Sequence, residues 1–260
     1  MKSLFIQQEN SPNSNKKATI VNSLMVLILI VGIFFFAFSQ LDYVYNWQSV
    51  LDYRTIFFNG FLLTISLSAI SLVTSLCLGV ILALCQRSRI YFLKIIAKSF
   101  VEIIRGTPLL VQVLIFFYVV ASAFGIENRF LNGVIILSIF SGAYLSEIIR
   151  GGIEAVGKSN FEIAQAIGLT KIQTYRYVVL PQVLRAILPA IAGQLVSLIK
   201  DSSLLSIIAV KELTMAANEM NSATFSTIEA YLPLVVGYLI ITMPISFFSK
   251  YLEKRFHYES

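Results

Sequence analysis

"FEIAQAIGLTKIQTYRYVVLPQ", from Phe161 to Gln182, is a semi-polar island between apolar runs in a chain of 260 residues that is 57% hydrophobic. It holds no nucleophile–base pair, no metal-ligand spacing and no glycine-rich phosphate loop. Its readable chemistry is conformational. Ser159 followed by Glu162 predicts a capping box that opens a helix. Gly168 is suited to close that helix in the left-handed conformation and to allow close packing at the junction. Thr170 followed by Gln173 predicts a second capping box, and Pro181 suits a first helical turn, where its missing N–H costs no bond. Two short helices joined at Gly168 therefore lead into the next apolar run, with Phe161, Ala164, Ile167 and Gly168 available as one small contact face. Two uses stay open: a surface helix lying on lipid headgroups, or a knob that fits a groove on a soluble partner.

The surroundings of this island settle the solvent. Only 13% of the residues are charged and the mean hydropathy is +0.79, too little polar surface for a soluble domain. In lipid every backbone polar group must be satisfied internally, which leaves helices or a closed barrel. The apolar runs are unbroken and longer than the alternating segments of barrel strands. They predict an all-α integral membrane protein with six transmembrane helices, at about 19–38, 56–85, 107–124, 131–149, 183–210 and 231–251. A basic, amphipathic approach from Tyr91 precedes the third. Residues 1–18 read as a polar, disordered tail, and the run after them has no small-residue cleavage site, so it reads as an uncleaved span.

Net charge is +6. Basic patches interleaved with aromatics are absent, so nucleic acid is not the expected partner. The bland explanation is the concentration of Lys and Arg in cytoplasmic loops. With six spans, 16 of the 20 basic residues fall on the side that holds both termini and the opening stretch, leaving Arg54, Arg129, Lys200 and Lys211 on the other. That side is expected to be cytoplasmic. Cys77 and Cys85 lie inside one apolar run and the one histidine, His257, sits in the tail, which argues against a disulfide framework or a metal site.

Ionisable groups inside spans mark pathways or interfaces. Lys200 and Asp201 interrupt the fifth run. They either end its apolar part at the outer interface, with Lys200 snorkelling, or belong to a substrate site in which Asp201 accepts an ammonium group. Gln194 and Ser197 share a helical face with Asp201. Glu102 with Arg105, and Glu147 with Arg150, are i, i+3 pairs that read as local salt bridges or as parts of a cytoplasmic gate. Gly106-Thr107-Pro108 should break the helix after Arg105, and Pro189 and Pro244 should kink their spans.

The run Glu162-Ile163-Ala164, three residues, Gly168, nine residues, Val178, one residue, Leu180-Pro181 resembles the cytoplasmic signature of binding-protein-dependent ABC importer permeases: Glu-Ala-Ala, three residues, Gly, nine residues, Ile, one residue, Leu-Pro. Ile163 and Val178 are conservative departures. "IIRGTPLLVQ" at 103–112, "GAYLSEIIRGGIEAV" at 142–156 and "LIKDSSLLSIIAVKELT" at 198–214 look like the polar-amino-acid branch of that family, which handles substrates of the histidine, glutamine, arginine and cystine type. The resemblance spans about 54–256, with the coupling region at 155–181. It leaves 19–53 as an extra first helix and outer loop, and 1–18 and 257–260 as tails. It implies the type I importer fold in a bacterial cytoplasmic membrane, and a coupling helix with Glu162, Ala164, Gly168, Leu180 and Pro181 at the joint to a cytoplasmic ABC ATPase dimer. It further implies an extracytoplasmic amino-acid-binding protein and a second permease subunit, with ATP and magnesium held by the ATPase and no cofactor or catalytic residue in this chain. The alternative class is an ion-coupled secondary transporter, which usually carries more ionisable groups within its spans and shows inverted repeats.

Overall fold

Apolar runs become helices wherever the sequence offers at least four turns without a break. The structure, a computed structural model, describes the backbone of residues 12–40 and 43–257, and within these all side chains except those at 12–17, 158, 159, 256 and 257. α1, Pro12–Ser39, belongs to a unit of its own that ends at Tyr45. Its helix starts before the apolar run, so residues 12–18 of the expected tail are helical. Residues 1–11 lie outside those described. The apolar part, Ala18–Ser39, is 22 residues long, about 33 Å of helix and enough for a hydrocarbon core of about 30 Å.

The second unit starts at Asn46. After a short helix, α2 (Gln48–Asp52), come α3 (Arg54–Gln86), α4 (Tyr91–Gly106) and α5 (Leu109–Ile115), which runs on through a π turn at Phe116–Ala121. Then follow α6 (Arg129–Ala155), α7 (Gly157–Ala166) and α8 (Lys171–Thr174). A second π turn, Tyr175–Val179, leads into α9 (Leu180–Asp201) and a 3-10 turn, Ser202–Ile208. α10 (Leu213–Thr224) and α11 (Thr227–His257) complete it. Five helical segments among the described residues are long and apolar enough to cross a membrane, and six if α4 and α5 form one bent span. The six expected runs all recur, several of them longer.

α3 packs most extensively on α6, and the sequence shows why. Small residues recur along one face of α3 (Ser68, Ser71, Ser75, Gly79, Ala83), all buried, so the two backbones approach closely, as membrane helices do in the absence of a hydrophobic drive. A Cβ added at Gly79 would lie 2.9 Å from the Leu145 Cβ. Polar cross-links add to it: Gln86 Nε2 donates to Ser146 Oγ at 3.2 Å.

Two apolar clusters lie toward opposite ends of this unit. One joins Leu67, Val113, Leu137, Leu198 and Leu205. The other joins Ala83, Ile149, Val156, Val179, Val183 and Ile187, and takes in Phe161 of α7. The second holds the opening stretch against the bundle. Pro189 and Pro244 both sit inside helices that continue past them.

Candidate functional site

The opening stretch folds largely as its residues dictate. α7 ends in a Schellman motif: Gly168 N donates to Gln165 O and Leu169 N to Ala164 O, both at 3.0 Å, with Gly168 at φ +85°. Thr170 forms the predicted capping box with Gln173; the Thr170 N–H donates to Gln173 Oε1 at 2.9 Å and the Gln173 N–H to Thr170 Oγ1 at 3.3 Å.

Three details differ from expectation. α7 begins at Gly157, at φ +71°, so the backbone of Ser159 is already helical and Val156 occupies the cap position. The Ser159 side chain lies outside the described residues. Among the described residues, nothing beyond its chain neighbours lies within 4 Å of a Cβ added at Gly168, so glycine is needed there for the left-handed backbone and not for close packing inside the subunit. Pro181 lies in the first turn of α9, as expected, but that helix is not separate: α8 and α9 form one run through the π turn. A proline inside a helix collides with the carbonyl four residues earlier, and the wider π turn just before Pro181 accommodates it.

The expected contact face also divides. Ala164 is buried, and Phe161 turns inward, its ring edge-on to Tyr175 at 5.4 Å. Asn160 Nδ2 donates to Gln182 Oε1 at 3.3 Å, which ties α7 to α9 as well. Glu162, Gly168, Leu180 and Pro181 are exposed, as are Ile163, Ile167 and Ile172; Ile172 is 80% exposed. The outward face is therefore more apolar than the sequence reading had it. An exposed apolar and polar mixture on a capped, anchored helix is suited to bind a protein groove.

Of the two expected gate pairs, one forms and the other does not. Glu147 and Arg150 form their i, i+3 bridge at 2.9 Å, and Arg150 also reaches Glu154 at 2.8 Å. Arg105 bypasses Glu102 and crosses to Glu147 on α6 at 3.1 Å, with its guanidinium 5.4 Å from the centre of the Tyr144 ring. The reason is the helix break. Pro108 forces Thr107 into an extended conformation (φ −119°, ψ 146°), and α4 meets α5 at 109°. Gln112 Nε2 holds the corner by donating to Ile104 O at 2.7 Å and to Thr107 Oγ1 at 2.8 Å. Arg105 thus ends α4 beside α6. Glu102 makes no ion pair among the described residues.

On α9, Gln194, Ser197 and Asp201 share a face of one continuous helix and are all half-buried, whereas Lys200 is exposed. Gln194 Nε2 donates to Ser141 Oγ of α6 at 3.3 Å.

One residue escaped the sequence reading. Glu212, fully buried, caps α10: the N–H groups of Thr214 and Met215 donate to its carboxylate at 2.9 and 2.8 Å, and the Tyr238 hydroxyl of α11 donates to it at 2.9 Å. Next to it the Leu213 N–H donates to Thr64 Oγ1 of α3 at 3.1 Å. Burial pushes the Glu212 carboxyl above the usual range, against the pull of these donors. Its signal was an acidic residue next to an apolar run, but glutamate is not among the usual capping residues.

This helical bundle with an anchored, outward-facing joint is the fold of a transport permease. The description "Binding-protein-dependent transport system inner membrane component" matches residues 75–258, and the chain belongs to that family. The glutamine transport system permease protein GlnP of Escherichia coli K12 is 33% identical over 213 residues, 81% of this chain and 97% of the relative. A crystal structure of an amino acid ABC transporter with histidines has a chain 34% identical, with a TM-score of 0.75 over 82% of this chain and all of that one. An inward-facing structure of the MetNI methionine ABC transporter, at 16% identity and TM-score 0.65, shares the fold over 78% of this chain and 97% of its own. The protein is thus a multi-pass inner-membrane permease subunit of the ABC importer type, and the ion-coupled reading falls away.

Proposed function

We propose that this subunit moves an amino acid with a polar side chain inward across the cytoplasmic membrane, powered by a separate ATPase dimer. The observation that carries the reading is the α7–Gly168–α8 joint, anchored on its inner face and exposed on its outer one. Likeness to GlnP and to a histidine-containing amino acid transporter supports the substrate class. In this reading both termini and α7 face the cytoplasm, two permease chains pair, and an extracytoplasmic binding protein delivers the substrate. ATP and magnesium stay with the ATPase. Closure of that dimer moves α7, and the helices switch between inward-facing and outward-facing states.

Asp201 accepts the substrate ammonium, with Gln194 and Ser197 lining the same face and Lys200 near the carboxylate. The bridge from Arg105 to Glu147 and Arg150 joins α4 to α6 and opens or closes with the cycle. In the reconstituted complex at saturating binding protein, Asp201→Asn should weaken transport affinity about 10- to 100-fold, the loss of one charge-assisted hydrogen bond, and spare basal ATP hydrolysis. Unchanged uptake by an intact Asp201→Asn complex rejects the site.

A further inference from the structure

α4 carries three chemistries on three faces. Ala97 and Val101 are buried against the bundle, where α4 packs on α3 and α6. Phe92, Ile95, Ile96 and Ile103 are exposed, each more than half. Lys94 and Lys98, one turn apart, line a cavity of about 510 Å³ at the end of the bundle where α6 leads into α7. A helix with an apolar flank and a lysine-bearing face, bent by 109° from the apolar α5, has the form of one that rests in a membrane interface.

The cavity has an excess of positive charge. Its walls bring five cationic side chains and three carboxylates. Two of the carboxylates are already engaged: Glu147 by Arg105 and Arg150, and Glu154 by Arg150 and, at 3.9 Å, by Arg87. Lys94 and Lys98 make no ion pair among the described residues. Like charges at i and i+4 oppose each other, and the third carboxylate of the cavity, Glu102, can balance only one of the two lysines, so the pair is left in need of an anion. Arg87, whose one ion pair among the described residues is its long contact with Glu154, lines the same cavity. Basic pockets between helices at the membrane edge suit phosphate headgroups. The exposed apolar flank of α4 offers a surface for acyl chains.

We propose that Lys94, Lys98 and Arg87 form a binding site for a phosphate-bearing anion, and that its occupant is the headgroup of an anionic phospholipid. The site is separate from the coupling joint and from Asp201, and it depends on neither assignment.

The test uses the full permease–ATPase complex stripped of lipid in a neutral maltoside detergent. Phosphatidylglycerol, phosphatidylcholine and inorganic phosphate are added separately, and lipid retention is read by native mass spectrometry together with the thermal midpoint. Phosphatidylglycerol should be retained and raise the midpoint. Lys94→Gln with Lys98→Gln should weaken its retention about 30-fold, at about one lysine's worth of surface attraction each. Lys94→Arg with Lys98→Arg should restore it, which separates loss of charge from loss of fold. Lys250→Gln with Lys254→Gln, an equal charge change elsewhere, should leave it unaltered. Equal retention by wild type and the Lys94/Lys98 glutamine variant overturns the site. Protection by inorganic phosphate as strong as that by phosphatidylglycerol overturns the lipid occupant.

Discussion

The caps of α8 and α10 do the same chemical job under opposite conditions. Thr170 caps α8 in the open, on an exposed joint, and its box is closed within four residues of sequence. Glu212 caps α10 with no exposure at all, and its carboxylate ties that helix to Tyr238 of α11, beside the Leu213 link to Thr64 of α3. Water stands ready to replace a bond lost at Thr170. At Glu212 nothing does, and each orphaned donor costs its full desolvation. The exposed cap shapes one turn locally, whereas the buried one fixes how three helices meet.

The sharpest way to break this contrast is Glu212→Leu. It leaves two backbone N–H groups without an acceptor and takes from the Tyr238 hydroxyl one of its partners, Thr214 Oγ1 remaining at 2.9 Å, so unfolding of the purified complex should become easier by about 3 kcal/mol. Glu212→Gln keeps an acceptor oxygen and should recover part of that. If Glu212→Leu unfolds no more easily than a Thr170 variant, the buried cap has no special weight.

Gly168→Val should come next. A β-branched residue at φ +85° costs about 1–2 kcal/mol in backbone strain, and melting of the joint should abolish stimulation of ATP hydrolysis by loaded binding protein while the spans still insert. Normal stimulation at normal protein levels would separate the joint from coupling. The smallest effect belongs to Thr170→Val, a loss of about 1 kcal/mol measured by thermal or denaturant unfolding. Stimulation should fall only partly, because the Gly168 turn remains.

The same contrast explains what could be read in advance. Membrane spans are legible because lipid demands long apolar runs, and the Thr107–Pro108 corner because proline constrains its neighbour. Gly168 and the Thr170 box are local devices, written within a few residues. The role of Glu212 was not legible, since its tie to another helix lies 26 residues onward at Tyr238, and the neighbouring Leu213 finds its partner 149 residues back at Thr64. Arg105 misled for the same reason: spacing offered Glu102, while the corner at Pro108 delivered Glu147. The start of α7 escaped as well, because Gly157 adopts a positive φ where sequence pointed to Ser159 as the opening residue. Side-chain roles along α9 depend on what occupies the path, and the subunit's own residues specify only that Gln194, Ser197 and Asp201 face the same way.

The uninterrupted run from Lys171 through the π turn to Asp201 has a mechanical consequence. A loop between the joint and Asp201 would absorb a push as extra configurations. A helix stores it as elastic strain and passes it on. This one is a shaft of about 45 Å at 1.5 Å per residue, with two compliant points, the π turn and Pro189. The π turn lies close to the joint and Pro189 nearer to Asp201, so bending should divide between the two points and the segment from Pro189 to Asp201 should turn as a stiff lever.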